Sequence, residues 1–110
     1  MNWNSLTQEA QLQAIDEESA NQPVFIFKHS TRCSISAMAL NRLESKWQPG
    51  DEATIKPYYL DLLNYRPISA AIAQRYGVEH ESPQVLVIQN GKCTFSASHN
   101  SIRYDDLVKK

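Results

Sequence analysis

The chain has only two cysteines and three glycines among its 110 residues, and its formal net charge is −1 at pH 7. The near-neutral charge argues against nucleic acid as a main partner, because binding phosphates requires a basic surface. No apolar run approaches the length of a membrane span, and the first residues lack the basic start and apolar stretch of a secretory signal. We therefore expect a cytoplasmic protein with neither nucleic acid nor membrane as a partner. In that reducing compartment two cysteines are not expected to form a structural bridge.

The remaining composition is that of an ordinary globular protein. Hydrophobic residues make up 42% of the chain, and nothing indicates disorder, low complexity or an internal repeat. A chain of this length can bury a core without disulfides. Residues 1–110 are therefore predicted to form a single domain.

The hydrophobic pattern predicts the element order αβαβαββα. Helices are predicted from Ser5 or Thr7 to about Glu18, from Ser34 to Trp47, from Pro67 to Tyr76, and from about Ser101 to Lys109. Strands are predicted over Val24 to Lys28, Ala53 to Leu62, Gln84 to Ile88 and Cys93 to Ala97. The β-α-β unit requires parallel strands, and Asn90-Gly91 is a strong signal for a hairpin that adds antiparallel ones. The expected fold is α/β, with a central mixed sheet of about four strands and helices on both faces.

Cys33 lies between a buried strand and the helix that begins near Ser34. At a helix N-terminus the unpaired N–H groups and the helix dipole favour negative charge, and the thiolate is the nucleophile in disulfide exchange. Three residues later, where a dithiol motif would carry its second cysteine, stands Ser36. The pattern therefore predicts a one-thiol redox site. Ser36 shares a helix face with Cys33, so it is either a hydroxyl donor to the thiolate or a tolerated helix residue.

Other polar residues near this turn allow more than one interpretation. Lys28 and His29 either supply positive potential to the thiol or are solvated charges at the strand end. Asp61, within an apolar strand, is a candidate for proton handling. The strand beginning at Gln84 is expected to start near the site, directly after Pro83, and to run away from it at about 3.3 Å per residue. Cys93 follows the turn at the far end of that strand, so it is expected to lie well over 10 Å from the site. We therefore expect Cys93 to be a packing residue.

The element order, the cysteine at a strand-to-helix turn and Ser82-Pro83 before the hairpin resemble the thioredoxin fold over essentially the whole chain. That resemblance implies a three-layer fold and a cis Ser82–Pro83 bond, with the backbone of Ser82 free to pair with an extended substrate. The ten residues from Phe27 to Ser36 (FKHSTRCSIS) further resemble the YtxJ-type monothiol bacilliredoxin family. Members of that family carry a Lys-His-Ser-Thr-x-Cys-Pro-Ile-Ser signature, from which Ser34 departs by replacing the proline.

The family resemblance implies reduction of mixed disulfides between protein cysteines and bacillithiol, a small bacterial thiol. Bacillithiolated proteins would be the substrates, bacillithiol or a similar small thiol the co-substrate, and a flavin-dependent disulfide reductase a candidate partner. No metal ion and no resident cofactor is expected. The residues assigned to catalysis are Cys33 and Ser36, and those assigned to substrate binding are Thr31, Arg32, Ser34, Ser82 and Pro83.

Two other functions remain open from the sequence. One is a glutaredoxin-like protein that binds an iron–sulfur cluster through one cysteine per subunit, although Ser34-Ile35 replaces the Gly-Phe of the motif associated with that class. The other is a redox-inactive adaptor, because a thioredoxin fold alone does not fix function. Visible absorption distinguishes an iron–sulfur protein from a thiol exchanger. The reactivity of Cys33 distinguishes a redox-inactive adaptor from a thiol exchanger.

Overall fold

The computed structural model describes residues 1–108, in which four α-helices surround one five-stranded sheet. The strands are β1 (Asn4–Ser5), β2 (Val24–His29), β3 (Lys56–Asp61), β4 (Gln84–Gln89) and β5 (Lys92–Ser98). The helices are α1 (Gln11–Glu18), α2 (Ser34–Lys46), α3 (Arg66–Tyr76) and α4 (Tyr104–Leu107). None of these helices has the length and apolarity needed to cross a bilayer.

The sheet is mixed, as predicted, with β2 at its centre. Its strand order is β1-β3-β2-β4-β5, in which β1, β3 and β2 are parallel and β4 and β5 are antiparallel to their neighbours. The predicted hairpin turn is present, and both Asn90 and Gly91 have the positive φ (52° and 73°) that a tight I′ turn requires. The carboxyl end of β2 and the amino end of β4 therefore lie at the same edge of the sheet.

The two faces of β2 build two separate layers of the core. Val24 and Ile26 belong to a cluster completed by apolar side chains of α1 and α3. Phe25 and Phe27 belong to a second cluster, completed by apolar side chains of α2 and α4. Burial on both faces explains why the sequence of β2 is an almost continuous apolar run. The predicted three-layer arrangement is confirmed.

The first predicted helix begins later than expected, because the chain before it joins the sheet. Asn4 and Ser5 pair with β3, and the Leu6 N–H donates to the Tyr59 carbonyl at 2.8 Å. The side chain of Gln11 then accepts the N–H groups of Thr7 and Gln8, at 2.8 and 2.9 Å, and starts α1. The sheet consequently has five strands instead of about four.

Two other predicted boundaries shift for local reasons. A 3-10 turn over Asp51–Ala53 precedes β3, and the Asp51 carboxylate accepts the Gln48 N–H at 2.8 Å. The final helix is short, because His99–Ser101 forms a 3-10 turn and Ile102 and Arg103 are extended before α4 begins. The predicted end of that helix at Lys109 lies outside the described residues.

Candidate active site

Cys33 occupies the N-cap position of α2, directly after the turn that follows β2. The turn closes where the Cys33 N–H donates to the Ser30 carbonyl at 3.2 Å, and the first helical bond runs from Ala37 N–H to the Cys33 carbonyl at 3.1 Å. The thiol is free and partly exposed, and it makes no capping hydrogen bond to the first turn. A partly exposed sulfur at a helix N-terminus lies where the helix dipole stabilises a thiolate.

Ser36 lies one turn later and is fully buried. Its Oγ is 2.7 Å from His29 Nδ1 and accepts the Ser30 N–H at 3.1 Å. A neutral His29 with its proton on Nε2 accepts the Ser36 hydroxyl proton at Nδ1. An Nδ1–H instead donates to Ser36 Oγ and leaves the hydroxyl proton free for another acceptor. The hydroxyl therefore joins the end of β2 to the first turn of α2.

Lys28 and His29 are both buried, so the interpretation of solvated strand-end charges is wrong. They point to opposite faces of β2: His29 contacts Ser36 on the α2 side, whereas Lys28 Nζ lies 3.2 Å from the Ser69 carbonyl of α3. Burial lowers the pKa of His29, with Asp61 and Glu44 opposing the shift. Burial also lowers the pKa of Lys28 to about 8. The sequence signal for this burial was present, since both residues continue the apolar run of a doubly covered strand.

The Ser82–Pro83 peptide bond is cis, as the fold resemblance implied. Gln84, the next residue, pairs with Lys28, so Pro83 lies at the sheet edge from which the Cys33 turn departs. The Pro83 carbonyl accepts the His99 N–H at 3.0 Å. The hydroxyl of Ser82 is inaccessible to solvent and has no hydrogen-bond partner among residues 1–108.

The other predicted binding residues adjoin Cys33 in the sequence and are exposed to solvent. Thr31 and Arg32 are exposed in the turn, and Ser34 is exposed at the first position of α2. Sequence reasoning missed two apolar neighbours, Ile35 and Met38, whose exposed fractions are 44% and 60%. Their spacing of three residues on a helix whose buried face lies elsewhere could have identified them.

Asp61 is the last residue of β3 and pairs in register with His29. Its Oδ2 accepts a hydrogen bond from Asn64 Nδ2 at 2.7 Å, whereas Oδ1 is inaccessible and unpartnered within the described part of the chain. The carboxylate thus lies at the strand end nearest His29, and Asp61 stays a candidate for proton handling.

Cys93 lies at the other end of the sheet, as predicted. It pairs with Ile88, which pairs with Val24 at the start of β2, whereas Cys33 follows the end of that strand. The Cys93 thiol donates to the Phe95 carbonyl at 3.3 Å, and burial raises its pKa. Across residues 1–108, no three His, Cys, Asp or Glu side chains are grouped so that they could hold a metal ion.

Comparison with known proteins gives both a family and a fold. The family model described as monothiol bacilliredoxin BrxC matches residues 4–107. A solved structure described as a thioredoxin-fold protein and proposed oxidoreductase is 33% identical, with a TM-score of 0.79, and the match covers 94% of this chain and 88% of that one. The thioredoxin of Malassezia sympodialis is 16% identical with a TM-score of 0.72, covering 96% and 84% of the two chains. That of Fasciola hepatica is also 16% identical, with a TM-score of 0.65 and coverage of 94% and 91%.

Proposed function

The chain belongs to the monothiol bacilliredoxin family and has a thiol redox role, and from this premise we propose that it reduces mixed disulfides between protein cysteines and bacillithiol. The observation that carries the proposal is the pairing of a free, partly exposed Cys33 at the start of α2 with a serine hydroxyl, not a second thiol, one turn later. A site with one thiol can accept a small thiol but has no internal thiol to displace it.

The reaction follows from thiolate exchange. The Cys33 thiolate attacks the bacillithiol sulfur of the mixed disulfide, which forms a Cys33–bacillithiol disulfide and releases the protein cysteine as a thiolate that takes a proton from water. A second bacillithiol thiolate then attacks the bacillithiol sulfur held on Cys33. Bacillithiol disulfide leaves, and the Cys33 thiolate is regenerated. The incoming bacillithiol is thus oxidised from thiol to disulfide, the protein cysteine is reduced from disulfide to thiol, and the first bacillithiol stays in a disulfide throughout.

Recognition is assigned to the residues around the thiol. The exposed side chains of Thr31, Arg32 and Ser34 lie beside Cys33 and would contact the small thiol. The backbone of Ser82, at the same sheet edge, would pair with the extended chain of the protein substrate. Ile35 and Met38 would contact apolar side chains that flank the modified cysteine, because exposed apolar side chains favour such burial.

The bacillithiol oxidised in this reaction has to be regenerated. A flavin-dependent disulfide reductase would return bacillithiol disulfide to bacillithiol, since the exchange itself consumes reduced thiol. We place the reaction in the cytoplasm, where a reducing thiol pool keeps Cys33 available.

The test is incubation of the reduced protein with a bacillithiolated protein substrate, followed by intact-mass spectrometry. We expect release of the substrate thiol together with one bacillithiol per chain attached to Cys33, and loss of that adduct as bacillithiol disulfide when bacillithiol is added. Cys33→Ser should abolish the adduct and the turnover, whereas the matched variant Cys93→Ser should retain both. Absence of an adduct would favour the redox-inactive adaptor, and a visible absorption band in freshly purified protein would favour the iron–sulfur protein.

A further inference from the structure

Lys28 is a fully buried lysine that has no carboxylate partner among its described contacts. Lysine is almost never fully buried unless it is paired, because removing an ammonium group from water is costly. The residue is the fifth of six in β2 and lies five positions before Cys33. Its Nζ contacts two groups: the carbonyl of Ser69 in α3 at 3.2 Å and Nδ1 of His80 at 3.4 Å.

While Lys28 is an ammonium group, it fixes the tautomer of His80. An ammonium group can only donate hydrogen bonds, so Nδ1 of His80 must carry its lone pair, and the ring proton resides on Nε2. The Ser69 hydroxyl lies 3.2 Å from the same Nδ1 and can donate to it as well. His80 must therefore be neutral for the contact with Lys28 to form.

His80 belongs to the segment of residues 79–82, which follows Gly77 and Val78 after α3 and ends before Pro83. One end of this segment is held by Gln84, whose Nε2 donates to the Glu79 carbonyl at 2.9 Å. The other end is held by Ser98, whose hydroxyl donates to the carboxylate of Glu81. The contact from Lys28 to His80 lies between them and comes from the strand that leads directly to Cys33.

We propose that the buried Lys28 and the exposed His80 form a positioning pair that fixes segment 79–82 against β2 and so sets the place of the Ser82 backbone relative to the Cys33 thiol. The proposal rests on the proposed function insofar as the Ser82 backbone receives the protein substrate. Neither residue touches the reacting sulfurs. Loss of the pair should therefore weaken substrate binding and leave the reactivity of the thiol unchanged.

The contact between Lys28 and His80 is also expected to depend on pH. The charged groups that act on His80 are Lys28 from β2, Arg66 from α3 and Glu81 from its own segment. Burial and the two cations lower the pKa of His80, and Glu81 opposes them. Protonation of Nδ1 would set two cations against each other and remove the acceptor that Lys28 uses. Acid should consequently release the segment.

Three variants distinguish the effect of losing the Lys28–His80 contact from a general loss of stability. Lys28→Met removes the donor and retains an apolar stem, and His80→Leu removes the acceptor. His80→Asn is the matched control, because its Oδ1 can take the place of Nδ1 as an acceptor but cannot titrate. Amide hydrogen exchange of residues 79–82 reports the position of the segment without reference to activity. Turnover of one bacillithiolated protein gives kcat and KM, and the iodoacetamide rate at Cys33 reports the thiol.

At pH 7.5 we expect Lys28→Met and His80→Leu to accelerate exchange in segment 79–82 and to raise KM by about tenfold each, as for the loss of one hydrogen bond. The iodoacetamide rate at Cys33 should stay within about twofold of wild type, since the thiol keeps its own helix terminus. With exchange rates corrected for their intrinsic dependence on pH, His80→Asn should match wild type at pH 7.5 and stay protected as the pH falls below 6.5, where the wild type should lose protection.

Unchanged exchange in Lys28→Met and His80→Leu would overturn the proposal, as would faster exchange with unchanged KM. A His80→Asn variant that behaves like His80→Leu would refute the acceptor argument. If no variant, including wild type, turned over the bacillithiolated protein, the proposed function would fail. In that case the exchange data alone would still decide whether Lys28 holds the segment.

Discussion

Ser36 replaces the sulfur of a dithiol site with a buried hydroxyl that is hydrogen-bonded to His29 and to the Ser30 N–H. Ser36→Ala removes both bonds and leaves a buried donor unpaired, so we expect the free energy of unfolding to fall by about 1–3 kcal/mol. Urea unfolding measures the change. Ser34→Ala, at an exposed position two residues earlier, serves as the control and should change stability by less than about 0.5 kcal/mol. Equal stability of the two variants would contradict the assigned role of the hydroxyl.

Burial of Lys28 makes the free energy of unfolding depend on pH in the alkaline range. Burial lowers its pKa from 10.5 to about 8, so between these values the unfolded chain binds more protons than the folded one. The free energy of unfolding therefore rises with pH across this window, by up to about 1.4 kcal/mol per unit, and this contribution is lost as pH falls to 8.

The difference between wild type and Lys28→Met isolates this contribution above pH 8, where His80, whose pKa Lys28 lowers, is already neutral. We expect the variant to be the more stable at pH 8 and the difference to shrink as pH approaches 10.5. Urea unfolding at pH 7, 8, 9 and 10 gives the two curves, and the exposed Lys46→Met provides the matched control. Parallel curves for wild type and Lys28→Met would show that Lys28 keeps its ordinary titration.

At the scale of elements, the start of α2 and the start of β5 give two partly exposed cysteines different surroundings. Cys33 is a partly exposed N-cap residue, whereas burial raises the pKa of Cys93. At pH 7 we expect iodoacetamide to modify Cys33 at least about tenfold faster than Cys93, since the thiolate is the reactive form. Peptide mass spectrometry after short exposures measures both rates in one sample. Equal rates would argue against activation by the helix terminus.

The sequence predicted the elements whose signals are local. The Asn90-Gly91 turn, the end of α3 at Tyr76 and the start of α2 after Cys33 all depend on a few adjacent residues, and the structure has all three. Strand β1 was missed because two residues cannot show a period. Its pairing with Tyr58 and Tyr59 depends on a part of the chain more than 50 residues away.

The candidate site also contains features that could be recognised from the sequence and features that could not. Cys33 and Ser36 could be recognised from their spacing at a strand-to-helix turn. The contact between His29 and Ser36 could not, because an imidazole seven residues from a serine has no pattern of its own in a sequence. The contact of Lys28 with His80 joins residues 52 positions apart and appears only when β2 and the segment before Pro83 are brought together.

At the scale of the whole molecule, the sheet keeps the two thiols apart. Cys33 follows one end of β2 and Cys93 pairs near the other, so a strand of six residues at ~3.3 Å each separates them, far more than the ~7 Å between Cα atoms that a disulfide allows. Oxidation with diamide should therefore produce a covalent dimer through Cys33 and no internal disulfide. Non-reducing electrophoresis with Cys33→Ser and Cys93→Ser identifies the bond, and an oxidised monomer lacking free thiols would refute the separation.

Because Lys28 and His29 point to opposite faces of β2, the number of residues in this strand is restricted. Inserting or deleting one residue in this strand would turn every later side chain to the other face. The amine would then face Ser36, the imidazole would face α3, and neither the serine nor His80 would meet its partner. Single-residue insertions and deletions should therefore be excluded between Val24 and His29, even where the inserted residue is small and apolar.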